Sequence, residues 1–176
     1  MACYLHDIGM CLNEIDIKKL EKTKEFEDFR KLNDTETVFS DYLREKHHEL
    51  SFEFIMKEWE NLYIPSEKYA YAIALVAMAH RKVELTDSRY KTNYHAVGGR
   101  ETVCLPFLSC ILRISDELDI TNMRIPKILF DNHYPNNDKS RLEWEKHRAT
   151  YQVNFDFDTI TIEANTNDQV VYNALR

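Results

Sequence analysis

Glycine and proline are scarce in this sequence, which contains only three glycines and four prolines among 176 residues. Tight turns depend on these two residue types, so their scarcity argues against an all-β fold with many short strands. The chain is long enough to bury the core of one domain. Its 44% hydrophobic and 30% charged residues are typical of a globular protein. A helical domain is therefore favoured.

Cysteine patterns and long apolar runs are also missing. Cys3, Cys11, Cys104 and Cys110 form no Cys-x-x-Cys pair and lack the spacing of a zinc ribbon, so we interpret them as buried free thiols in a reducing cytosol. No apolar run is long enough to span a bilayer, and the first residues do not resemble a signal peptide. We therefore expect a soluble cytoplasmic protein without a membrane partner.

An excess of positive charge is absent as well. Lysine and arginine total 23, aspartate and glutamate total 30, and the formal net charge is −7. Such a chain has no general electrostatic attraction to nucleic acid or to an anionic lipid surface. The composition gives no strong nucleic-acid signal, although it allows a local basic patch.

Apolar residues recur mainly at helical spacing. The pattern predicts helices over residues 2–12, 16–31, 41–62, 67–82, 101–120 and 140–147, with the most apolar one, 101–120, at the centre. A polar loop over residues 85–99 ends in a predicted turn at Gly98-Gly99, and residues 132–139 are rich in turn formers, Asn136 and Asn137 among them. Residues 150–155 and 159–163 alternate and predict a β-hairpin. We expect a mainly α fold, with a helical domain over residues 1–130 and a C-terminal helix plus β-hairpin extension, residues 131–176, packed on it.

Five potential metal ligands stand out against this background. His47, His80 and Asp116 each lie on the apolar stripe of a predicted helix, and His6 and Asp7 are adjacent near the start. A polar side chain on an inward face costs free energy unless it is hydrogen-bonded, ion-paired or metal-bound. One or two divalent ions would explain all five together. The alternative for each histidine is a separate hydrogen bond within the core. The alternative for the aspartate is an ion pair with an arginine.

This order of ligands resembles the HD-domain superfamily of metal-dependent phosphohydrolases. The similar segments are residues 5–9 (LHDIG), 44–51 (REKHHELS, with a small residue four positions after the ligand), 77–80 (AMAH) and 112–119 (LRISDELD). The resemblance covers residues 1–125 and implies an HD-domain helical bundle. It implies His6, Asp7, His47, His80 and Asp116 as metal ligands, with His48 as the alternative to His47.

One part of the family pattern is missing. The family's first histidine lies on a helix upstream of the His-Asp pair, and only five residues precede His6. We therefore expect either a piece of a longer protein or a site that has lost this ligand. In its absence His6, Asp7 and Asp116 would hold one ion, and His47 and His80 would hold a second that Asp7 bridges.

The resemblance implies a phosphohydrolase or phosphodiesterase that attacks a phosphoester, with a nucleotide favoured, through a metal-activated water. Mixed imidazole and carboxylate ligands suit Mn²⁺, Fe²⁺, Co²⁺ or Ni²⁺, with Mg²⁺ a further candidate. Lys82 and Arg113 join His6, Asp7 and Asp116 as expected catalytic residues, and Arg81 and Arg124 are further cations that could grip phosphate.

Two other interpretations remain open. A degenerate HD module, lacking the upstream histidine, could bind a nucleotide or protein partner and regulate a fused or associated domain. A hairpin after the segment Trp144-x-x-His147 resembles the HD variety found beside Hsp90-like ATPase domains, which implies an ATPase domain as that partner. A helical interaction domain without metal is the third interpretation.

Overall fold

The computed structural model describes residues 1–33, 36–97, 101–135 and 138–176, and it is mainly helical. The α-helices are α1 (Ala2–Leu5), α2 (Glu14–Leu20), α3 (Lys24–Leu32), α4 (Val38–Glu58), α5 (Glu67–Met78), α6 (Leu105–Leu118), α7 (Lys127–His133), α8 (Asp138–Ala149) and α9 (Gln169–Ala174). The strands are β1 (Tyr94–Val97), β2 (Glu101–Val103), β3 (Thr150–Phe155) and β4 (Ile160–Ala164). The predicted mainly α fold with a C-terminal β-hairpin is confirmed. The turn residues Gly98, Gly99, Asn136 and Asn137 lie outside the described residues.

The predicted burial of the cysteines is wrong. All four are free thiols, but Cys3, Cys11 and Cys110 are exposed and Cys104 is half-buried.

The chain divides into two compact units, Met1–Ile114 and Ser115–Arg176. The predicted domain boundary after residue 130 falls within the second unit, and that division stays a prediction. No helix in the described part of the chain has the length and apolar character needed to cross a membrane.

The second unit contains the predicted hairpin, in which β3 pairs antiparallel with β4. Val153 lies opposite Ile162, and Phe155 lies opposite Ile160. The first unit contains another antiparallel pair, β1 with β2, in which Tyr94 lies opposite Val103. This pair occupies residues predicted as the end of a loop and the start of a helix.

The first unit is built around α5, which Ser66 caps by accepting a hydrogen bond from the Tyr69 amide. On one side of α5, three fully buried alanines pack against Ile55 of α4: Ala70, Ala74 and Ala77. On another side, Leu75 packs in a second cluster with Leu105 of α6. Alanine has a small side chain, so neighbouring elements approach α5 closely from both sides.

The predicted central position of the 101–120 helix is wrong. Helix α6 buries Leu105 and Leu112 but leaves Phe107, Ile111 and Ile114 exposed, whereas more than half of the α5 residues are buried. The large apolar side chains of residues 101–120 suggest a central helix. Close packing favours α5 because its small ones let two clusters form around it.

The predicted N-terminal helix is shorter than expected. Helix α1 ends at Leu5, and a 3₁₀ helix over Ile8–Met10 follows the His6-Asp7 turn. Gly9 passes directly over the backbone of α4. A Cβ atom at position 9 would lie 2.2 Å from the His47 carbonyl oxygen, which no side chain could tolerate. The chain therefore turns at His6-Asp7 and presses against α4.

Candidate metal centre

Three separate elements bring Asp7, His47 and His80 together: the N-terminal turn, the middle of α4 and the turn that follows α5. Their candidate ligand atoms all lie within 4.8 Å of one another. Asp7 Oδ1 lies 3.3 Å from His47 Nε2 and 3.5 Å from His80 Nε2, and the two Nε2 atoms are 2.8 Å apart. Both imidazoles are buried, whereas the Asp7 side chain is 49% exposed. We call this group the triad.

The backbone fixes which nitrogen each ring presents to the triad. His47 Nδ1 lies 2.8 Å from the Arg44 carbonyl oxygen, and His80 Nδ1 lies 2.6 Å from that of Ala77. A carbonyl oxygen can only accept, so each Nδ1 carries the hydrogen, and a neutral ring then has a bare lone pair at Nε2. Two lone pairs and a carboxylate oxygen thus converge, and only a cation can satisfy all three.

The separations within the triad suit a single divalent ion. Nitrogen and oxygen ligands at right angles, each about 2.1 Å from a metal, are about 3.0 Å apart. The three observed separations, 2.8, 3.3 and 3.5 Å, lie close to that value. The donor set of two neutral imidazoles and one carboxylate is itself typical of transition-metal sites.

Electrostatics favours the protonation states that bind metal. The pKa of the Asp7 carboxyl is lowered to about 2, chiefly by its side-chain hydrogen bond with His47, helped by the charge of nearby histidines and opposed by burial. Burial lowers the pKa of His80 below its ordinary value of 6.5. At neutral pH the triad therefore presents an ionised Asp7 and a neutral His80.

Comparison of the sequence with protein-family models identifies the family of this chain. The HD-CE family model matches residues 1–174. The chain belongs to the HD-CE family. This assignment supports the predicted HD-like domain. No curated protein and no solved structure gives a significant match to the chain.

His6 lies beside the triad of this HD-CE chain rather than within it. Its Nδ1 lies 2.8 Å from the Cys3 carbonyl oxygen, so its Nε2 also faces inward, 3.4 Å from Asp7 Oδ2. The two carboxylate oxygens of Asp7 therefore face different histidines: Oδ1 faces His47 and His80, and Oδ2 faces His6. The bridging role of Asp7 between two ions stays a prediction.

The family resemblance favours His47 as the ligand over its neighbour His48, and of these two only His47 belongs to the triad. His48 is buried but contributes no atom to the triad. Its Nε2 lies 3.8 Å from Glu49, and its buried Nδ1 has no hydrogen-bond partner in the described part of the chain. Burial lowers the pKa of His48 to about 4.

Arg113, predicted to bind phosphate, instead contacts the backbone that carries His80. Its guanidinium donates two hydrogen bonds to the Ala79 carbonyl oxygen, at 2.9 and 2.6 Å, and a third, at 2.9 Å, to that of Val83. These two carbonyls flank the turn in which His80 lies. Arg113 therefore holds this turn in place in the HD-CE fold.

The other predicted cations differ in their partners. Lys82, which has a positive φ of 49°, forms an ion pair with Glu45 of α4. Arg81 is exposed and donates to the Arg44 carbonyl oxygen at 3.5 Å, and no described carboxylate lies within ion-pair distance of it. Lys82 is thus neutralised, whereas Arg81 is available to an anion.

The second unit contains the predicted ligand Asp116 and the predicted cation Arg124. Arg124 Nη1 lies 3.2 Å from Asp119 Oδ2 and 4.0 Å from Asp116 Oδ1. The role of Asp116 as a metal ligand stays a prediction from its sequence segment.

The contact that sequence reasoning missed joins the His6-Asp7 turn to α4. In the sequence Ser51 is only a small residue four positions after His47, yet its hydroxyl hydrogen-bonds to the main chain of both His6 and Gly9. The scarcity of glycine was a signal, because one of only three glycines follows the His-Asp pair by two residues.

Proposed function

We propose that this chain is a metal-dependent phosphohydrolase or phosphodiesterase that acts on a phosphoester, with a nucleotide as the favoured substrate. The observation that carries the proposal is the convergence of two Nε2 lone pairs and the Asp7 carboxylate on one point. Membership of the HD-CE family supports it. Phosphoester hydrolysis is a reaction that these three residues could support together with a bound divalent ion.

Asp7, His47 and His80 would hold the ion, and His6 stands at the other carboxylate oxygen of Asp7. A bound divalent ion would lower the pKa of water from about 15.7 towards about 7 and neutralise charge on phosphoryl oxygens. The imidazole ligands favour Mn²⁺, Fe²⁺, Co²⁺ or Ni²⁺ over Mg²⁺. Asp116 is a proposed further ligand on the resemblance of its segment alone.

Arg81 is the cation that we propose for gripping the substrate phosphate. It directly follows His80, it is exposed, and its guanidinium lies beside the Arg44 carbonyl that also orients the His47 ring. A guanidinium presents several donors to phosphate oxygens in fixed geometry. Arg113 is less suited because its guanidinium already donates to backbone carbonyls. Lys82 is less suited because it forms an ion pair with Glu45.

A regulatory role is the second candidate. Helix α8 contains Trp144 and His147, and the β3–β4 hairpin follows it directly, which supports the variety of HD domain found beside Hsp90-like ATPase domains. In that case the chain would bind a nucleotide or a protein partner and regulate a fused or associated ATPase domain. Metal binding without phosphoester hydrolysis would favour this candidate.

The decisive experiment compares the wild-type chain with Asp7→Asn, and uses Asp28→Asn as the control. Asp28 is an exposed carboxylate that pairs with Lys31 on α3. Each protein is incubated with Mn²⁺ and dialysed, its metal content is measured by mass spectrometry, and hydrolysis of bis(p-nitrophenyl) phosphate and p-nitrophenyl phosphate is followed. We expect metal and hydrolysis in wild type and Asp28→Asn and neither in Asp7→Asn. A wild-type chain that retains no metal would refute the proposal.

A further inference from the structure

We propose that Ser51 is a positioning residue of the metal centre, whose hydroxyl fixes the main chain on both sides of Asp7. The inference rests on the proposed role of the triad and adds a residue that contacts neither the ion nor the substrate. In this proposal one hydroxyl group positions the only carboxylate in the triad.

The hydroxyl joins two groups of the turn at once. Ser51 Oγ donates to the His6 carbonyl oxygen at 2.6 Å and accepts from the Gly9 amide at 2.9 Å. Ser51 is fully buried, and Gly9 is buried as well. The two bonds attach α4 to the residue before Asp7 and to the second residue after it.

A single face of α4 therefore holds Asp7 in two ways. Residues four apart lie on the same side of a helix, so His47 and Ser51 both face the turn. His47 contacts the Asp7 carboxylate at 3.3 Å, and Ser51 contacts the backbone on each side of that residue. Because the Asp7 side chain is 49% exposed, packing restrains it weakly, and the backbone attachment must do more of the positioning.

The space at the contact explains why a serine suits this position. A Cβ atom on Gly9 would lie 2.7 Å from the Ser51 amide nitrogen and 2.9 Å from Leu50 Cβ, so the turn sits directly on the helix surface. Only a short side chain that both donates and accepts can bridge two backbone groups at that separation. Removing the hydroxyl leaves the Gly9 amide and the His6 carbonyl without this partner, and the turn must move to reach another.

The test measures Mn²⁺ affinity by isothermal titration for the full wild-type chain, Ser51→Ala and a matched control, Ser109→Ala. Ser109 is equally buried, but its hydroxyl has no hydrogen-bond partner among the described residues. We expect Ser51→Ala to weaken Mn²⁺ binding about 10-fold to 100-fold, the usual effect of removing a group that orients a ligand. Ser109→Ala should leave the affinity unchanged.

Thermal unfolding of the metal-free proteins separates positioning from general stability. A Ser51→Ala chain that melts at a lower temperature but binds Mn²⁺ with wild-type affinity overturns the proposal. If Ser51→Ala does not fold, Ser51→Cys replaces it, because a thiol is a weaker donor and acceptor of similar size. Binding must then weaken partially, and unchanged affinity overturns the proposal. A wild-type chain that binds no Mn²⁺ refutes the triad function itself, and the Ser51 role with it.

Discussion

The Nε2 atoms of His47 and His80 lie 2.8 Å apart, although each ring donates its Nδ1 hydrogen to a backbone carbonyl. Two neutral imidazoles in this arrangement repel each other through their lone pairs. A proton or a metal ion between them removes the repulsion, and the adjacent Asp7 carboxylate adds to the attraction for a cation. Binding of a divalent ion is therefore expected to stabilise the folded chain.

Replacing His47 should cost far more metal affinity than replacing His48. His47→Gln removes a triad ligand, so Mn²⁺ binding should weaken by more than about 100-fold, the upper range for groups that only orient ligands. His48→Gln removes a buried ring that contributes nothing to the triad, and the affinity should be retained. Isothermal titration measures both values, and a larger loss for His48→Gln would move the ligand by one residue.

Gly9→Ala should destabilise the fold and weaken metal binding together. The added methyl group would meet the backbone of α4 at 2.2 Å from the His47 carbonyl, so the turn must shift away from the helix. Overpacking of this kind costs about 1–3 kcal/mol of unfolding free energy. Urea denaturation measures that cost, and unchanged stability and Mn²⁺ affinity would show that the turn does not rest on α4.

Acid should destabilise the metal-free chain through its buried histidines. Burial lowers the pKa of His48 to about 4 and that of His80 below 6.5, so below pH 6.5 the unfolded chain binds protons that the folded chain does not. Stability therefore falls as the pH drops below 6.5, and the part due to His48 continues to fall towards its folded pKa of about 4, by up to about 1.4 kcal/mol per pH unit. Urea denaturation at several pH values should give a shallower dependence for His48→Gln than for the wild-type chain, and equal slopes for the two proteins would contradict this prediction.

If Arg81 grips phosphate, Arg81→Gln should raise KM for a phosphoester more than Lys82→Gln does. Lys82 is an exposed lysine paired with Glu45, and such pairs contribute about 0–1 kcal/mol. Metal content should remain at the wild-type level in both variants, because neither residue belongs to the triad. Steady-state kinetics with the metal-loaded chain gives KM and kcat separately, and equal KM values for the two variants would contradict the assignment.

Periodicity and residue type were sufficient to predict much of this molecule. The inward positions of His47 and His80, the predominance of helices and the C-terminal hairpin all follow from patterns that span a few turns. A buried histidine on an apolar stripe needs a hydrogen bond, an ion pair or a metal ion to compensate its burial. The sequence alone therefore predicted that one metal ion could be shared by these histidines.

Contacts between distant segments account for the features that were missed. The Ser51 hydroxyl reaches back 45 residues to His6, and Arg113 reaches back 34 residues to Ala79. Neither contact leaves a periodic trace, because each joins a helix to a turn that is distant in the sequence. The β1–β2 pair is also hard to predict from the sequence, because its strands are short and the pattern of β2 continues into the helix that follows it.

The three alanines that line α5 against α4 also bear on the geometry of the triad, because packing between these helices affects the distance between two imidazoles. His47 belongs to α4 and His80 follows α5, so the gap between the rings depends on how tightly Ala70, Ala74 and Ala77 let Ile55 approach. A larger side chain at any of them would push the helices apart and pull the ligands out of reach of one ion. Substitutions in this apolar layer would thus alter the separation of the two imidazole rings as well as the stability of the first unit.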